Sequence, residues 1–139
     1  FATENARLNG LEDRVHFQEA NAFDLLAEQS RHGEKYDVII LDPPAFTKTR
    51  AAVASAARGY KEINLRAMKM VREGGYLVTC SCSQHILPAH FLEIVRDAAR
   101  DAHVQLRQVE YRTQGRDHPI LPAAPETQYL KCGIFQLLH

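Results

Sequence analysis

Two motifs, each directly after a strand-like run, constrain the fold of this chain most strongly. The run at 36–41 is nearly continuous in apolar residues and ends in Asp42-Pro43-Pro44, and the run at 75–80 leads into Cys82. A helical pattern lies between them and closes near Gly74-Gly75. Two parallel strands joined by a helical crossover form a βαβ unit, and such sheets bind ligands beyond the carboxyl ends of their strands. The pattern therefore predicts an α/β sheet that brings a carboxylate and a thiol to one crevice.

The rest of the chain continues this alternation within one domain. Asn21 is a suitable N-cap, Gly10 and Gly33 are typical helix ends, and Pro88 suits a first helical turn. The apolar run at 36–41 predicts a strand covered on both faces. We expect helices at about 1–9, 22–31, 51–72 and from 88 onward, and the third of these should break or bend at Gly59. We expect strands at 15–18, 36–41, 75–80, 104–112 and 128–137.

Composition narrows the class of protein. The 139 residues are 45% apolar and 24% charged, which is ordinary for a soluble globular domain. No apolar run approaches the roughly 18–20 residues of a membrane helix, so no membrane partner is expected. The net charge of zero gives no global support for nucleic-acid binding, although a local patch remains open. Three cysteines, an odd number, favour reduced thiols in the cytoplasm.

The two motifs carry the chemistry. Proline restricts the backbone on both sides of itself, so Asp42 is held in an extended geometry from which it can accept hydrogen bonds from a base. Cys82 has small polar neighbours, whose backbone amides can stabilise a thiolate. Cys80 and Cys132 are interpreted as core residues. A metal site formed by Cys80, Cys82 and His85 is an alternative, but no fourth ligand is evident, and we expect no metal.

Two further features allow two interpretations each. The connection at 43–61 contains Lys48, Arg50, Arg58 and Lys61 and no acidic residue, so it is either a solvated loop or a surface that contacts phosphates. Phe46 is placed either to stack on a base or to fill the core.

With these residues identified, the chain resembles the catalytic domain of the type I large-subunit ribosomal RNA cytosine-5 methyltransferases of bacteria. The resemblance covers essentially the whole chain, and its most specific parts are the joint occurrence of 42–46 with 79–83. It rests on Asn5 and the segments 9–11, 21–24, 42–46, 58–64, 74–75, 79–83, 117–119, 125–127 and 129–131. Ribosomal guanine methyltransferases carry runs similar to 42–46 but lack the Ser-Cys-Ser thiol.

The resemblance implies a Rossmann-like fold, S-adenosylmethionine as cofactor and ribosomal RNA as partner. It implies that Cys82 adds to carbon 6 of a cytosine while Asp42 holds the base. It also assigns cofactor binding to Asn21, Ala22, Phe23, Asp42 and Pro43. We expect Pro44, Phe46, Lys48 and Arg50 to bind the substrate.

The family sheet has the order 3-2-1-4-5-7-6, and its first two strands would precede Phe1. We therefore expect residues 1–139 to be the carboxyl-terminal part of a catalytic domain, without the cofactor-binding half and the RNA-binding domain. On this view the isolated chain is inactive, and the open edge of the strand at 36–41 is covered by a second copy in a homodimer, by a rearranged first segment or by residues outside 1–139. The alternatives are a methyltransferase that acts on another RNA base and a non-catalytic fragment or interaction module.

Overall fold

A four-stranded mixed sheet organises the molecule, whose computed structural model describes residues 1–47 and 49–138. Its strand order is β1-β2-β4-β3. Strands β1 and β2 are parallel, whereas β4 runs antiparallel to both β2 and β3. The strands are β1 (Tyr36–Leu41), β2 (Val71–Ser81), β3 (Gln105–Arg112) and β4 (Lys131–Leu138). This arrangement confirms the predicted fold class and matches the last four strands of the expected order.

Four helices accompany the sheet: α1 (Ala2–Leu8), α2 (Ala22–His32), α3 (Val53–Met70) and α4 (Pro88–Ala102). Single-turn 3₁₀ helices lie at Arg50–Ala52 and Pro125–Thr127. The predicted caps are confirmed for α2, where the Asn21 side chain accepts a hydrogen bond from the Phe23 amide and Gly33 ends the helix with a φ of 73°. Pro88 occupies the first turn of α4, also as predicted.

The core lies between one face of the sheet and helices α3 and α4. Tyr60 and Met68 of α3 and Phe91 of α4 are fully buried against Leu77 of β2 and Leu137 of β4. Full burial of a large apolar side chain stabilises a fold by about 1.5–3 kcal/mol, so this layer anchors the sheet. None of the described helices is long and apolar enough to cross a membrane.

The break allowed for at Gly59 was wrong, because α3 is continuous from Val53 to Met70. The role of Gly59 is to allow close packing, not to interrupt the helix. A Cβ atom at this position would lie 3.2 Å from Cδ2 of Phe46, so the absence of a side chain lets the Phe46 ring approach the helix.

Two strand predictions were also wrong. Residues 15–18 form no strand; they are exposed, and no described strand lies beside them to supply hydrogen-bond partners. Strand β1 is covered on one face only: Ile39 and Leu41 pack toward the core, whereas Val38 and Ile40 are 52% and 67% exposed. Apolar composition predicted the strand correctly, but burial of its second face requires a layer that the described residues do not provide.

Candidate active site

The carboxyl ends of β1 and β2 bring the two predicted catalytic residues to neighbouring positions. Leu41 pairs with Thr79 in the parallel ladder, so Asp42 follows beside Cys80, and Cys82 lies two residues farther along. Burial raises the pKa of the Cys80 thiol to about 12, with smaller contributions from Cys132, Asp42 and Cys82. Asp42 and Cys82 therefore both lie within electrostatic range of the same sulfur atom.

Cys82 opens onto a small cavity of about 200 Å³. The cavity is lined by Ala45, Thr47, Cys82, Gln84, His85 and Tyr129. The thiol is half-buried, in contrast to the buried Cys80. Because Ala45 and Thr47 belong to the segment that follows Asp42, this cavity joins the two strand ends and can admit a small polar group to the sulfur atom.

The turn that carries Cys82, residues 81–83, is fixed by hydrogen bonds from three directions. Its own Ser81 Oγ accepts from the Ser83 amide at 3.3 Å. The Tyr60 hydroxyl of α3 lies 2.8 Å from Ser83 Oγ. From β4, the Lys131 ammonium donates to the Ser83 carbonyl oxygen at 2.6 Å. Ser81 and Ser83 are themselves fully buried, so the backbone on both sides of Cys82 has little freedom to move.

Lys131 is the functional candidate that sequence reasoning did not single out. Its side chain is only 2% exposed, and Nζ also donates to the Tyr129 carbonyl oxygen at 2.8 Å. Burial lowers the pKa of Lys131 to about 8, and the charge of Cys82 acts in the opposite direction. The sequence offered two weak signals, namely the place of Lys131 in the segment 129–131 that carries the resemblance and its position at the start of the apolar run at 131–138. Neither shows that the side chain is buried, which is what makes this lysine unusual.

A larger cavity of about 510 Å³ lies on the other side of the Pro43–Phe46 segment. The predicted cofactor-binding residues Asn21, Ala22, Phe23, Asp42 and Pro43 all line it. The rest of its wall is Leu26, Ile40, Leu41, Pro44, Phe46 and Ile63. Asp42 and Cys82 thus meet at adjoining cavities rather than in the single crevice predicted from the sequence.

The lining of the larger cavity suits a flat heterocycle. Its walls are largely apolar and include the ring of Phe23. The polar residues Asn21 and Asp42 also line it. Asn21 Oδ1 already accepts the bond from the Phe23 amide, and an amide oxygen has a second lone pair for a ligand. Pockets of this size and character hold small molecules and cofactors.

The predicted substrate-binding residues separate in the structure. Pro44 and Phe46 line the larger cavity, not the cavity of Cys82. The Phe46 ring lies 4.5 Å from Tyr60 and 5.6 Å from Phe23 by centroid, so it packs at the edge of the core as well as at the cavity wall. Arg50 is exposed in the 3₁₀ helix, and Lys48 lies outside the described residues.

The basic stretch is less uniformly positive than its sequence indicates. Lys61 forms a salt bridge of 2.7 Å with Asp101, and Arg58 lines a cavity that also contains Glu93 and Asp97. Acidic side chains from α4 and its end therefore offset the charge of this part of α3. Arg50 stands apart from these pairs, so it is the better candidate for contact with phosphates.

The structure supports the core interpretation for Cys80, whereas Cys132 is only half-buried. Cys80 and Cys132 are opposite each other in the β2–β4 ladder, and Cys80 is buried. Among residues 1–47 and 49–138, no three metal-ligating side chains converge, and the alternative site at Cys80, Cys82 and His85 gains no support.

Comparison with known proteins identifies the class. The sequence profile of the S-adenosylmethionine-dependent methyltransferases matches residues 2–135, and the chain belongs to this family. In fold it is similar to an S-adenosylmethionine-dependent methyltransferase from Streptococcus mutans (TM-score 0.70, 17% identity, 84% of this chain and 29% of that one). It is also similar to NSun6 from Pyrococcus horikoshii, solved with SFG (TM-score 0.65, 21% identity, 96% and 37%).

Closer relatives in sequence share one name. The chain is 42% identical over 131 residues to "Ribosomal RNA large subunit methyltransferase I" of Erwinia tasmaniensis and 45% identical to the protein of that name from Aeromonas salmonicida. In both comparisons the match covers 94% of this chain and 33% of the relative. The chain thus spans about a third of the length of the curated relatives it matches.

The family implies S-adenosylmethionine as cofactor, and the larger cavity fits part of it. The Phe23 ring and the apolar walls suit an adenine ring, and the Asn21 oxygen can accept from its amino group. When bound, this cofactor supplies a methyl group on a positively charged sulfur, and the Asp42 carboxylate at the cavity rim offers the opposite charge.

Proposed function

We propose that this segment forms the nucleophile-bearing part of an enzyme that methylates carbon 5 of a cytosine in large-subunit ribosomal RNA. The observation that carries the proposal is the half-buried Cys82 at the end of β2, held beside the end of β1 that bears Asp42. The names of the relatives at 42–45% identity support ribosomal RNA as the substrate.

The residues support a covalent route. The thiolate of Cys82 adds to carbon 6 of the cytosine, the ring nitrogen takes a proton from water, and carbon 5 becomes nucleophilic. Carbon 5 then bonds to the methyl group while the bond between that methyl carbon and the sulfonium sulfur of the donor breaks, and the donor leaves as a neutral thioether. The Asp42 carboxylate accepts hydrogen bonds from the exocyclic amine and from the protonated ring nitrogen of the adduct. A general base then removes the carbon 5 proton, the bond between sulfur and carbon 6 breaks to return the thiolate, and the ring nitrogen gives its proton back to water.

The alternatives differ in the need for the thiol. A methyltransferase that acts on an exocyclic nitrogen or an oxygen does not require Cys82, and a non-catalytic interaction module requires neither Cys82 nor Asp42. The half-buried thiol at the wall of a polar cavity beside the strand end that bears Asp42 favours the covalent route, because a nucleophile must be accessible to the base that it attacks.

The test uses a chimera in which this segment replaces the matched third of a full-length relative. With ribosomal RNA as substrate, Cys82→Ala should abolish 5-methylcytosine formation, a loss of at least about 10³-fold. Cys132→Ala is the matched control and should retain activity. RNA containing 5-fluorocytosine should trap a covalent complex with the wild-type and Cys132→Ala chimeras but not with Cys82→Ala, since fluorine replaces the proton that must leave.

Three results would overturn the mechanism. Unchanged methylation by the Cys82→Ala chimera would remove the thiol from the reaction. Methylation of a different base, with no trapped complex on 5-fluorocytosine, would favour the first alternative, and an inactive wild-type chimera built into an active host would favour the second.

We also propose that Arg50 contacts the RNA backbone. It is exposed and lies close along the chain to Thr47 of the Cys82 cavity. Arg50→Gln in the chimera should weaken RNA binding and reduce the slope of log K against log salt by roughly 1. Arg107→Gln on β3, at the opposite edge of the sheet, serves as the charge-matched control. An unaltered slope for Arg50→Gln would place this residue among solvated surface groups.

A further inference from the structure

The ammonium of Lys131 is buried without a carboxylate partner in the part of the chain that the structure describes, and the proposed reaction does not by itself explain this. A lysine ammonium buried to 98% normally lies beside a carboxylate, because an unpaired buried charge is costly. The ion pairs of the described residues do not include Lys131. Its recorded bonds go to two neutral carbonyl oxygens, those of Ser83 and Tyr129.

Both carbonyls belong to the wall around Cys82. Ser83 is the next residue after Cys82, and Tyr129 lines the same 200 Å³ cavity as the thiol. Lys131 lies opposite Ser81 in the β2–β4 ladder, and its ammonium bonds to the carbonyl oxygen of Ser83. The lysine side chain therefore passes alongside Cys82, the residue between these two serines. An ammonium has three protons to donate, and these two bonds use two of them.

We infer that Lys131 is a positioning residue whose ammonium fixes the turn at 81–83 and stabilises Cys82 as a thiolate. The inference rests on the proposed nucleophilic role of Cys82. While Cys82 is a neutral thiol, the Lys131 ammonium has no negatively charged partner among residues 1–47 and 49–138. The thiolate that forms when Cys82 ionises provides one. The step is a simple proton loss: the S–H bond breaks, the proton passes to water, and the electron pair stays on sulfur beside a lysine that remains protonated.

Electrostatics agrees with this geometry. The charge of Cys82 opposes the effect of burial on the pKa of Lys131, which remains about 8, so the side chain is still cationic at neutral pH. A cation close to a thiolate lowers the pKa of the thiol. The other titratable groups around the turn are His85 and Tyr129 at the cavity wall, Tyr60 behind Ser83 and Asp42 at the end of β1. Cys80 of β2 and Cys132 of β4 complete the set, and the charge of Cys82 reaches the Cys80 sulfur.

The test measures alkylation of Cys82 by iodoacetamide in the 139-residue chain as a function of pH, without RNA or cofactor. Iodoacetamide is neutral, so Lys131 does not attract the reagent itself. Mass spectrometry with fragmentation separates Cys82 from the buried Cys80 on the same tryptic peptide, and Cys82→Ser gives the background. The wild-type rate should follow a lower pKa than that of Lys131→Met, with the variant reacting about tenfold more slowly at neutral pH.

Controls distinguish electrostatics from structure. Lys131→Arg keeps the charge and should recover most of the rate, whereas Lys69→Met, at an exposed lysine in the last turn of α3, should leave the profile of Cys82 unchanged. If Lys131→Met fails to fold by circular dichroism, the reciprocal measurement replaces it: NMR of labelled lysine should show a lower pKa for Lys131 in Cys82→Ala than in the wild type.

Equal pH profiles for the wild type and a folded Lys131→Met, or an unchanged Lys131 pKa in Cys82→Ala, would overturn the inference. Neither result depends on methyl transfer, so it is separable from failure of the proposed function, which is read from the Cys82→Ala chimera. In an active chimera, Lys131→Met should shift the pH–rate profile to higher pH, and Lys131→Arg should restore it.

Discussion

The two cavities at the end of the sheet are built in different ways. The wall around Cys82 rests on buried residues from three elements: Ser83 after β2, Tyr60 of α3 and Lys131 of β4. The larger cavity beside β1 is lined on one side by the first turn of α2, where Asn21, Ala22 and Phe23 are exposed. Helix α2 has no buried residue at all.

The difference teaches where this segment is preorganised. A reactive group must be held closely by residues whose own conformations are locked, and the turn at 81–83 meets this condition. The α2 side depends on a cap and on partial packing, so it should open at a low energetic cost. The nucleophile side is therefore held by buried residues of three elements, and the α2 side is the more adaptable of the two.

Loss of the Tyr60 side chain should give the largest effect on this comparison. Tyr60 is fully buried between Phe46 and Phe91, so Tyr60→Ala should cost about 3–5 kcal/mol of unfolding free energy. Phe23→Ala, at 40% exposure, should cost less than half of that. Urea denaturation measures both. Equal losses would mean that the two sides are equally integrated in the core.

A smaller effect is expected from the pH dependence of stability. The folded pKa of Lys131, about 8, lies below its ordinary value of 10.5, so between these values the unfolded chain binds more protons and stability rises with pH. The free energy of unfolding of the wild type relative to Lys131→Met should increase by up to about 3 kcal/mol across this window.

The raised pKa of Cys80 acts with the opposite sign, since it removes stability as the pH rises from about 9 toward 12. It is present in both proteins and cancels in the difference between wild type and Lys131→Met. A difference that stays flat from pH 8 to 10.5 would contradict the buried-cation account.

The smallest effect should come from the cap of α2. Asn21→Ala removes the acceptor for the Phe23 amide and should cost about 1 kcal/mol, felt mainly as local opening. Hydrogen exchange should speed up in α2 and remain unchanged in α4, while Asn21→Asp, which keeps an acceptor, should behave like the wild type. Faster exchange throughout the sheet would show that α2 is coupled to the rest of the core.

Sequence reasoning succeeded where a local pattern contains the physical cause. The strand–motif pairs at 36–42 and 75–82 predicted the parallel β1–β2 unit. The residues that the resemblance assigned to the cofactor line one cavity, and their role stays a prediction. It failed where the cause is a distant partner. The run at 15–18 has strand-like residues but no neighbouring strand, and the role of Lys131 depends on a turn 48 positions away along the chain.

Gly59 and Tyr60 are consecutive residues on α3, and each forms part of the support of a different cavity. The Phe46 ring rests against Gly59 on the side of the larger cavity, and the Tyr60 hydroxyl reaches the turn that bears Cys82. One step along a helix is about 1.5 Å and does not stretch. The backbone of α3 therefore fixes the spacing between the supports of the two cavities. Substitutions along the cavity walls should change the width of each cavity but not this spacing.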